Sequence, residues 1–425
     1  MNRARADALS ARSRIAAGHW IARTAESFRH LPPPPGALWL GEATPASSPA
    51  PAPACDAPPL AGAGWTLHPV GRTPQARVDA RWLDATDAGQ RSELFAGVPA
   101  PGGEDAAPFA WAHRALCRQG LRLRIGDAAA GGRRETVWLQ LRHQPRAEVE
   151  APLLVIDLLP GVDCVLVEVH ERSPAELAQA CRRAIVQNLQ VHLRLGRDAS
   201  LRHLRIAAPA PGDHVAHHVQ ARLDRGAVYH QGLLASGCAY HLQRSAIALP
   251  EHEASARTAG VLLANGSALE QQIGVVHGAG RTASAVEALA LGGGSARLVV
   301  NAHTAIEPGA DEAQARQRLA GIPTGGQPKL VLRPHLEIQH DQVQAAHGAT
   351  WGALPEDALF HAAQRGLDER TARALIIEGM ARAALARCLD TPDLMETLGV
   401  DGLLARAVAQ HLDARPGDAR EACHG

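Results

Sequence analysis

His347 lies in QAAHGATWGALPED, residues Gln344 to Asp357, where an extended segment ends and a proline-led acidic segment begins. Such a junction can expose a side chain to chemistry. The same side chain could equally cap the following helix or pack in an interface. A second group is HVAHH, with His214, His217 and His218. On a strand, His214 and His218 share a face and His217 opposes them. Without a carboxylate or cysteine at fixed spacing, the group reads as a solvated strand face rather than a metal site. Glu337, His340 and Asp341 form a third, with Glu337 and Asp341 on one face of a strand. Position in a fold does not by itself make such acids catalytic.

Other chemistries are disfavoured. Lys329 is the only lysine and sits in GGQPKLV, which is not the Gly-Lys-Ser/Thr of a phosphate-binding P-loop. The GGGS turn at Gly292 to Ser295 opens no helix and reads as strand punctuation. Seven cysteines (Cys55, Cys117, Cys164, Cys181, Cys238, Cys388, Cys423) are scattered without a CxxC pair. That argues against a disulfide framework and a closed zinc site. Lys plus Arg and Asp plus Glu are 43 each, so no global charge marks a nucleic-acid or anionic-membrane surface. No apolar run resembles a signal peptide or a membrane span, and a cytoplasmic, reducing setting is expected. The arginine-rich start could mimic a transit peptide, but Asp7 and Glu26 fit an ordinary first helix as well.

Three kinds of segment must position these residues. Residues 1–120 read as a helical and Pro-rich region. Ile21, Ala25 and Phe28 fall at i, i+4 and i+7, the prolines Pro32 to Pro35 stop that stripe, and a Pro/Ala/Gly/Ser-rich stretch runs to Gly64. Helices are expected near 84–95 and 109–117. Residues 121–351 change to period 2, as in LQVHLRLG, where Leu189, Val191, Leu193 and Leu195 oppose Gln190, His192 and Arg194. Short strands recur between Gly, Asp, Asn and Ser turns, with one helical stretch near 174–186, and no exact repeat is found. Aromatics are only 3%, which favours a parallel β-helix over a sandwich. Residues 352–425 are helical again. Pro355 takes a first helical position beside Glu356 and Asp357, Gly366 closes that helix, and Asp368 caps a second with an apolar face of Ala372, Ile376, Met380 and Leu385. Gly399 and Asp401 separate a last helix, and the tail from Pro416 is expected to fray.

The stretch from Pro334 to Leu385 resembles the carboxyl-terminal signature of the SufD family of the SUF iron–sulfur cluster assembly machinery. Its elements are Pro334, Leu336, Glu337 and Ile338, then His347 to Thr350, Leu359 and Phe360, Arg365 and Gly366, and the run from Ala372 to Met380. Upstream the resemblance thins to the rhythm around Ser284 to Val299 and to Phe28, Leu31, Pro32 and Trp39. The sister SufB family is similar here, but Gly348 after the histidine points to SufD, and SufB's Arg-Ser-x-Cys-Asp motif is missing. Where SufD chains often carry a cysteine two positions before the histidine, this chain has Ala345.

The resemblance implies a right-handed parallel β-helix flanked by amino- and carboxyl-terminal helical domains, and a scaffold subunit rather than an enzyme. It implies pairing with a SufB-like subunit and docking of a SufC-like ABC ATPase on the carboxyl-terminal helices, at Pro355, Asp357, Leu359, Phe360, Arg365 and Gly366. His347 would then face a nascent iron–sulfur cluster that this chain does not hold alone, and no nucleotide site, nucleic acid or membrane is expected. Two other readings stay open. One is a purely structural SufD-like paralogue, which Ala345 keeps in play. The other is a β-helix enzyme acting on polysaccharide, which the shortage of aromatic sugar platforms disfavours.

Overall fold

Alternating apolar and polar residues build a stack of short parallel strands. The computed structural model describes residues 3–18, 20–22, 24–41, 61–62, 64–70, 77–102, 105–126, 136–145, 147–172, 184–390, 394–397 and 399–413. Cys55, Cys181, Cys423, most of the helical stretch expected near 174–186 and the tail from Pro416 lie outside them. In chain order the first strands are β1 (Ala61–Gly62), β2 (Trp65–Pro69), β3 (Val78–Asp84), β4 (Gln119–Ile125), β5 (Val137–His143), β6 (Val149–Glu150) and β7 (Leu153–Leu158). The middle ones are β8 (Asp163–Glu171), β9 (Val186–Leu195), β10 (Ser200–Ala208), β11 (His214–Leu223), β12 (Val228–Ser236), β13 (Tyr240–Leu249) and β14 (Ser255–Asn265). Last come β15 (Ala268–His277), β16 (Ala283–Gly293), β17 (Arg297–Ile306), β18 (Gln314–Pro323), β19 (Lys329–Ile338) and β20 (Gln344–Trp351).

From β7 onward successive strands alternate between two parallel sheets, odd numbers in one and even numbers in the other. Each rung so contributes one strand to each sheet, giving a β-solenoid of about seven turns. Strands already run between residues 61 and 84, where β2 and β3 pair antiparallel with β5 and β4. The lumen takes one phase of each strand: Leu189, Val191, Leu193 and Leu195 of β9 all lie in its core.

The turns from the odd to the even sheet hide a repeat. Gly161, Asp198, Gly226, Glu253, Arg281 and Glu312 occupy successive turns, and every one has φ between 55° and 72°. Each donates its N–H to a carbonyl of the next turn, from Gly161 to Arg197 (2.8 Å) down to Glu312 to Gln342 (2.8 Å). A left-handed conformation costs a non-glycine residue about 1–2 kcal/mol. Glu312→Gly should therefore hold or raise stability by up to about 1 kcal/mol, whereas branched Glu312→Val should lower it by about as much. Urea midpoints test this; equal midpoints for the two variants would contradict it.

Helices cover both outer faces. α1 (Arg3–Gly18), α2 (Gly36–Trp39), α3 (Ala88–Leu94) and α4 (Ala107–Leu116) lie at the amino-terminal side, and α4 packs on β9. Asp7 of α1 joins Arg91 of α3 and Arg114 of α4 through hydrogen-bonded ion pairs. The expected stripe of Ile21, Ala25 and Phe28 is not a helix. Only Glu26–Phe28 form a single 3-10 turn, although Phe28 is buried with Ile21 and Ala25 packed against its cluster. The carboxyl-terminal helices are α5 (Glu356–Gln364), α6 (Glu369–Leu389), α7 (Leu394–Thr397) and α8 (Asp401–Asp413). Asp368 caps α6 by accepting from the Thr371 N–H at 3.0 Å, and Gly366 has φ +79°. Pro355 is the N-cap of α5, one residue earlier than expected. The buried face of α6 runs through Ile377, Ala381, Ala384 and Leu385; Ile376 and Met380 only flank it. It covers Val167, Leu204, Leu234 and Val261 on the outer face of the even sheet.

Candidate functional site

Strand β20 is the last of the even sheet and β19 the last of the odd one, and each pairs with a single neighbour. Their outer edges leave backbone donors and acceptors unpaired among the described residues, a template for strand addition by another chain. Pro334 fits such an edge, because a proline in a central strand would break the ladder.

His347 stands on this last rung. It registers with Gln317 of β18, just as Ala345 registers with Ala315 and Ala349 with Leu319. Those partners are buried in the lumen phase, so His347 continues the lumen row where the stack ends and is exposed. Beneath it, the Gln317 side-chain amide donates to Thr304 Oγ1 (2.8 Å) and to the His335 carbonyl (3.0 Å). Gly348, next to His347, has open space where a Cβ would sit. One exposed imidazole can supply one ligand, and no group of three or more metal-ligating side chains is assembled among the described residues. A cluster here would need ligands from a second chain.

Beside this rung the chain exposes apolar area. Trp351 is 61% exposed and Phe360 60%, and α5 has no buried residue. Leu359 and Leu354 tie that helix to the cluster under α6, which leaves Phe360 outward with Leu367 and Leu375 also exposed. Arg365 closes α5 by donating to the His361 carbonyl at 3.2 Å, and Asp357 lies in its acidic first turn. The six docking residues expected from sequence therefore fall on one short, uncovered helix and its closing turn.

The other sequence candidates part company. Glu337 faces His303 at 3.6 Å, His340 pairs with Asp311 at 2.5 Å, and Asp341 lies beyond the end of β19, so no acid/base group forms. HVAHH is not a solvated face: His217 and His218 are buried and only His214 is half-buried. His217 points into the lumen, where sequence reading missed a polar network. His203 donates to Glu168 at 2.8 Å, and Arg205 reaches the same carboxylate at 3.2 Å and 3.3 Å, with His170 also on it. Arg205 also donates to Gln243, whose amide serves His217 (3.2 Å) and His241 (2.6 Å). Burial alone would raise the Glu168 pKa, but Arg205 and the two histidines outweigh it and hold the carboxyl well below its usual range. Burial keeps His170, His203 and His217 neutral by pushing their pKa values down. A signal was present: in VLVEVHE, Glu168 and His170 share the phase of Cys164 and Leu166.

A family model described as SUF system FeS cluster assembly, SufBD core domain, matches residues 161–380. Over 88 residues the chain is 32% identical to the iron–sulfur cluster assembly protein SufD of Escherichia coli (strain K12), covering 21% of this chain and 18% of that protein. Over 86 residues it is 29% identical to an iron–sulfur cluster assembly SufBD family protein of Synechocystis sp. (strain ATCC 27184 / PCC 6803 / Kazusa), covering 20% of this chain and 19% of that one. The matched segments thus span less than a fifth of either curated relative.

Proposed function

Because this chain belongs to the SufBD family of iron–sulfur cluster assembly proteins, we propose that it is a SufD-like scaffold subunit without catalysis of its own. It pairs through its open last rung with a SufB-like subunit, and its carboxyl-terminal helices dock a SufC-like ATPase. The observation that carries this reading is the coincidence, at one end of the solenoid, of two unpaired strand edges, an exposed His347 in the lumen row and the uncovered helix α5. An added rung would continue both sheets and enclose His347 at the join. The nascent cluster is then the cargo of the complex, with His347 as one donor and the partner supplying the rest. Nucleotide chemistry belongs to the ATPase, in keeping with the missing P-loop. No described helix is long and apolar enough to cross a membrane.

His347→Ala should leave the three-subunit complex intact and slow cluster formation, followed by absorbance in the reconstituted complex. Clusters formed at the unaltered rate would remove His347 from the cluster site, and a complex that falls apart would make it a packing residue.

Phe360→Ala should weaken ATPase docking by about thirtyfold or more, as expected when an interface aromatic is truncated at a cost of about 2 kcal/mol or above. Since Phe360 is mostly exposed, the subunit itself should keep its melting temperature. Unchanged affinity for a SufC-like ATPase in calorimetry would place the dock elsewhere.

A further inference from the structure

The lumen under the last rung holds a buried oxygen that accepts from nothing. Gln317, 2% exposed, reaches from β18 to the odd sheet. There its amide nitrogen donates to Thr304 Oγ1 at 2.8 Å and to the His335 carbonyl at 3.0 Å. A carbonyl only accepts, so the atom facing His335 must be the –NH2, and this settles which way round the amide lies. Its oxygen, Gln317 Oε1, is the atom left buried without a partner. An acceptor in that state costs about 1–3 kcal/mol.

The neighbours narrow its donor to one. On its own sheet Gln317 registers between Val286 of β16 and His347 of β20. Val286 belongs to the apolar core and has nothing to donate. The residues of the same phase along β18 are Ala315 and Leu319, also apolar. Across the lumen Thr304 is already engaged with the amide nitrogen, and Pro334 and Leu336 on β19 carry no polar side chain. His347 alone among these has a side-chain N–H to give. It is exposed, and an exposed side chain samples its rotamers within nanoseconds. The rotamer that lays the ring over Gln317 gains a hydrogen bond that the others lack.

We propose that Gln317 is the positioning residue for His347: its Oε1 accepts the imidazole Nδ1–H and holds the ring in one tautomer, with Nε2 turned toward the join. Neighbouring strands stand about 4.8 Å apart and in-register side chains share a direction, so the torsions of His347 alone bring the two atoms together. Nδ1 is the ring nitrogen nearer the backbone and so nearer the amide, whereas Nε2 lies at the tip. A ligating histidine commonly gives its second N–H to such an acceptor, which sets the tautomer and makes the free nitrogen more basic. The use of this bond in cluster assembly rests on the role proposed above for His347; the bond itself does not.

The ring nitrogen shifts of His347 in NMR, taken on the full chain in mildly alkaline solution where imidazole is neutral, read the tautomer directly. His347→Ala identifies the signal. Free histidine prefers the Nε2–H form, so a predominant Nδ1–H form is the expected result. Gln317→Met keeps the length and removes the acceptor, and should return His347 to Nε2–H. Thr304→Val removes one partner of the amide nitrogen but leaves Oε1 in place, and should not; a general loosening of the rung would move both variants alike. In the reconstituted three-subunit complex Gln317→Met should slow cluster formation by about tenfold or more, the usual effect of losing such a support. A predominant Nε2–H form in the unaltered chain would overturn the proposal, whether or not the variants fold. So would a persistent Nδ1–H form in a folded Gln317→Met chain, or an unaltered cluster rate in that variant when His347→Ala does slow it. If the Nδ1–H form is found and His347→Ala leaves cluster formation untouched, the pairing stands and the role of His347 at the cluster falls.

Discussion

Glu168→Ala is expected to destabilise the solenoid by about 3–5 kcal/mol, the usual cost of stranding one member of a buried ion pair. Glu168 is fully buried and anchors Arg205, His203 and His170 at once. Its removal leaves the guanidinium of Arg205, 2% exposed, with only Gln243 to receive it. Against a total stability of about 5–15 kcal/mol that loss is large. Replacing both residues, Glu168→Ala with Arg205→Met, should recover much of it, because no unpaired charge remains. The pH dependence has a definite sign. A depressed folded pKa makes the stabilisation complete above the unfolded value and removes it as pH falls through the folded one. The unaltered protein should thus lose stability in acid through this group, and the double variant should lack that contribution. Urea denaturation across pH measures both effects. A loss below about 1 kcal/mol in the single variant would mean that the network rearranges around the gap.

Glu270→Gln should act in the opposite direction, stabilising the protein in neutral and mildly alkaline solution. Glu270 lies on the outer face of β15, fully buried, where Gln272 (2.9 Å) and Asn301 (2.6 Å) donate to one oxygen and the other has no partner. Burial pushes its pKa up to about 8, more than those two hydrogen bonds and the more distant Arg333 pull it down. The folded chain therefore retains a proton that the unfolded chain releases, and stability falls as pH rises from about 4.5 to about 8. Glutamine keeps the accepting oxygen and has no proton to lose. The variant should gain roughly 2–4 kcal/mol over the native protein at pH 8, and much less at pH 5. An equal difference at the two pH values would sink the ionisation argument.

These two glutamates mark the limit of what the sequence discloses. Period 2 assigns Glu168 and Glu270 to faces, but the fate of a buried acid depends on whether a neighbouring rung supplies a cation. Arg205 comes from the next strand of the same sheet, 37 positions later. The solenoid itself was legible, because Leu189 to Leu195 alternate cleanly and the turn residues punctuate them. Its repeat was not. The column from Gly161 to Glu312 conserves a backbone conformation through Gly, Asp, Glu and Arg, so no letters recur. The caps at Gly366 and Asp368 were readable from local chemistry, whereas His347, expected where the extended segment ends, lies inside β20 on the last rung. The face of α6 was misjudged by one position, since Leu375, Ile376 and Ile377 are consecutive apolar residues and only packing selects Ile377. Ile21, Ala25 and Phe28 kept their burial without keeping a helix, because spacing alone does not distinguish a helical stripe from a loop folded onto the same cluster.

Helix α6 also has a mechanical consequence. It is about 30 Å long and lies across β10, β12, β14 and β16, strands that neighbour one another about 4.8 Å apart. Arg387 is fastened to Glu287 on β16, and Cys388 to the Gln231 carbonyl on β12. The helix is thus a splint across the stack. A pull on α5 enters several rungs together as shear, rather than peeling the terminal strand from its neighbour one hydrogen bond at a time. A motor attached at Phe360 would move the even sheet as a block and leave the join at the last rung as the place that yields.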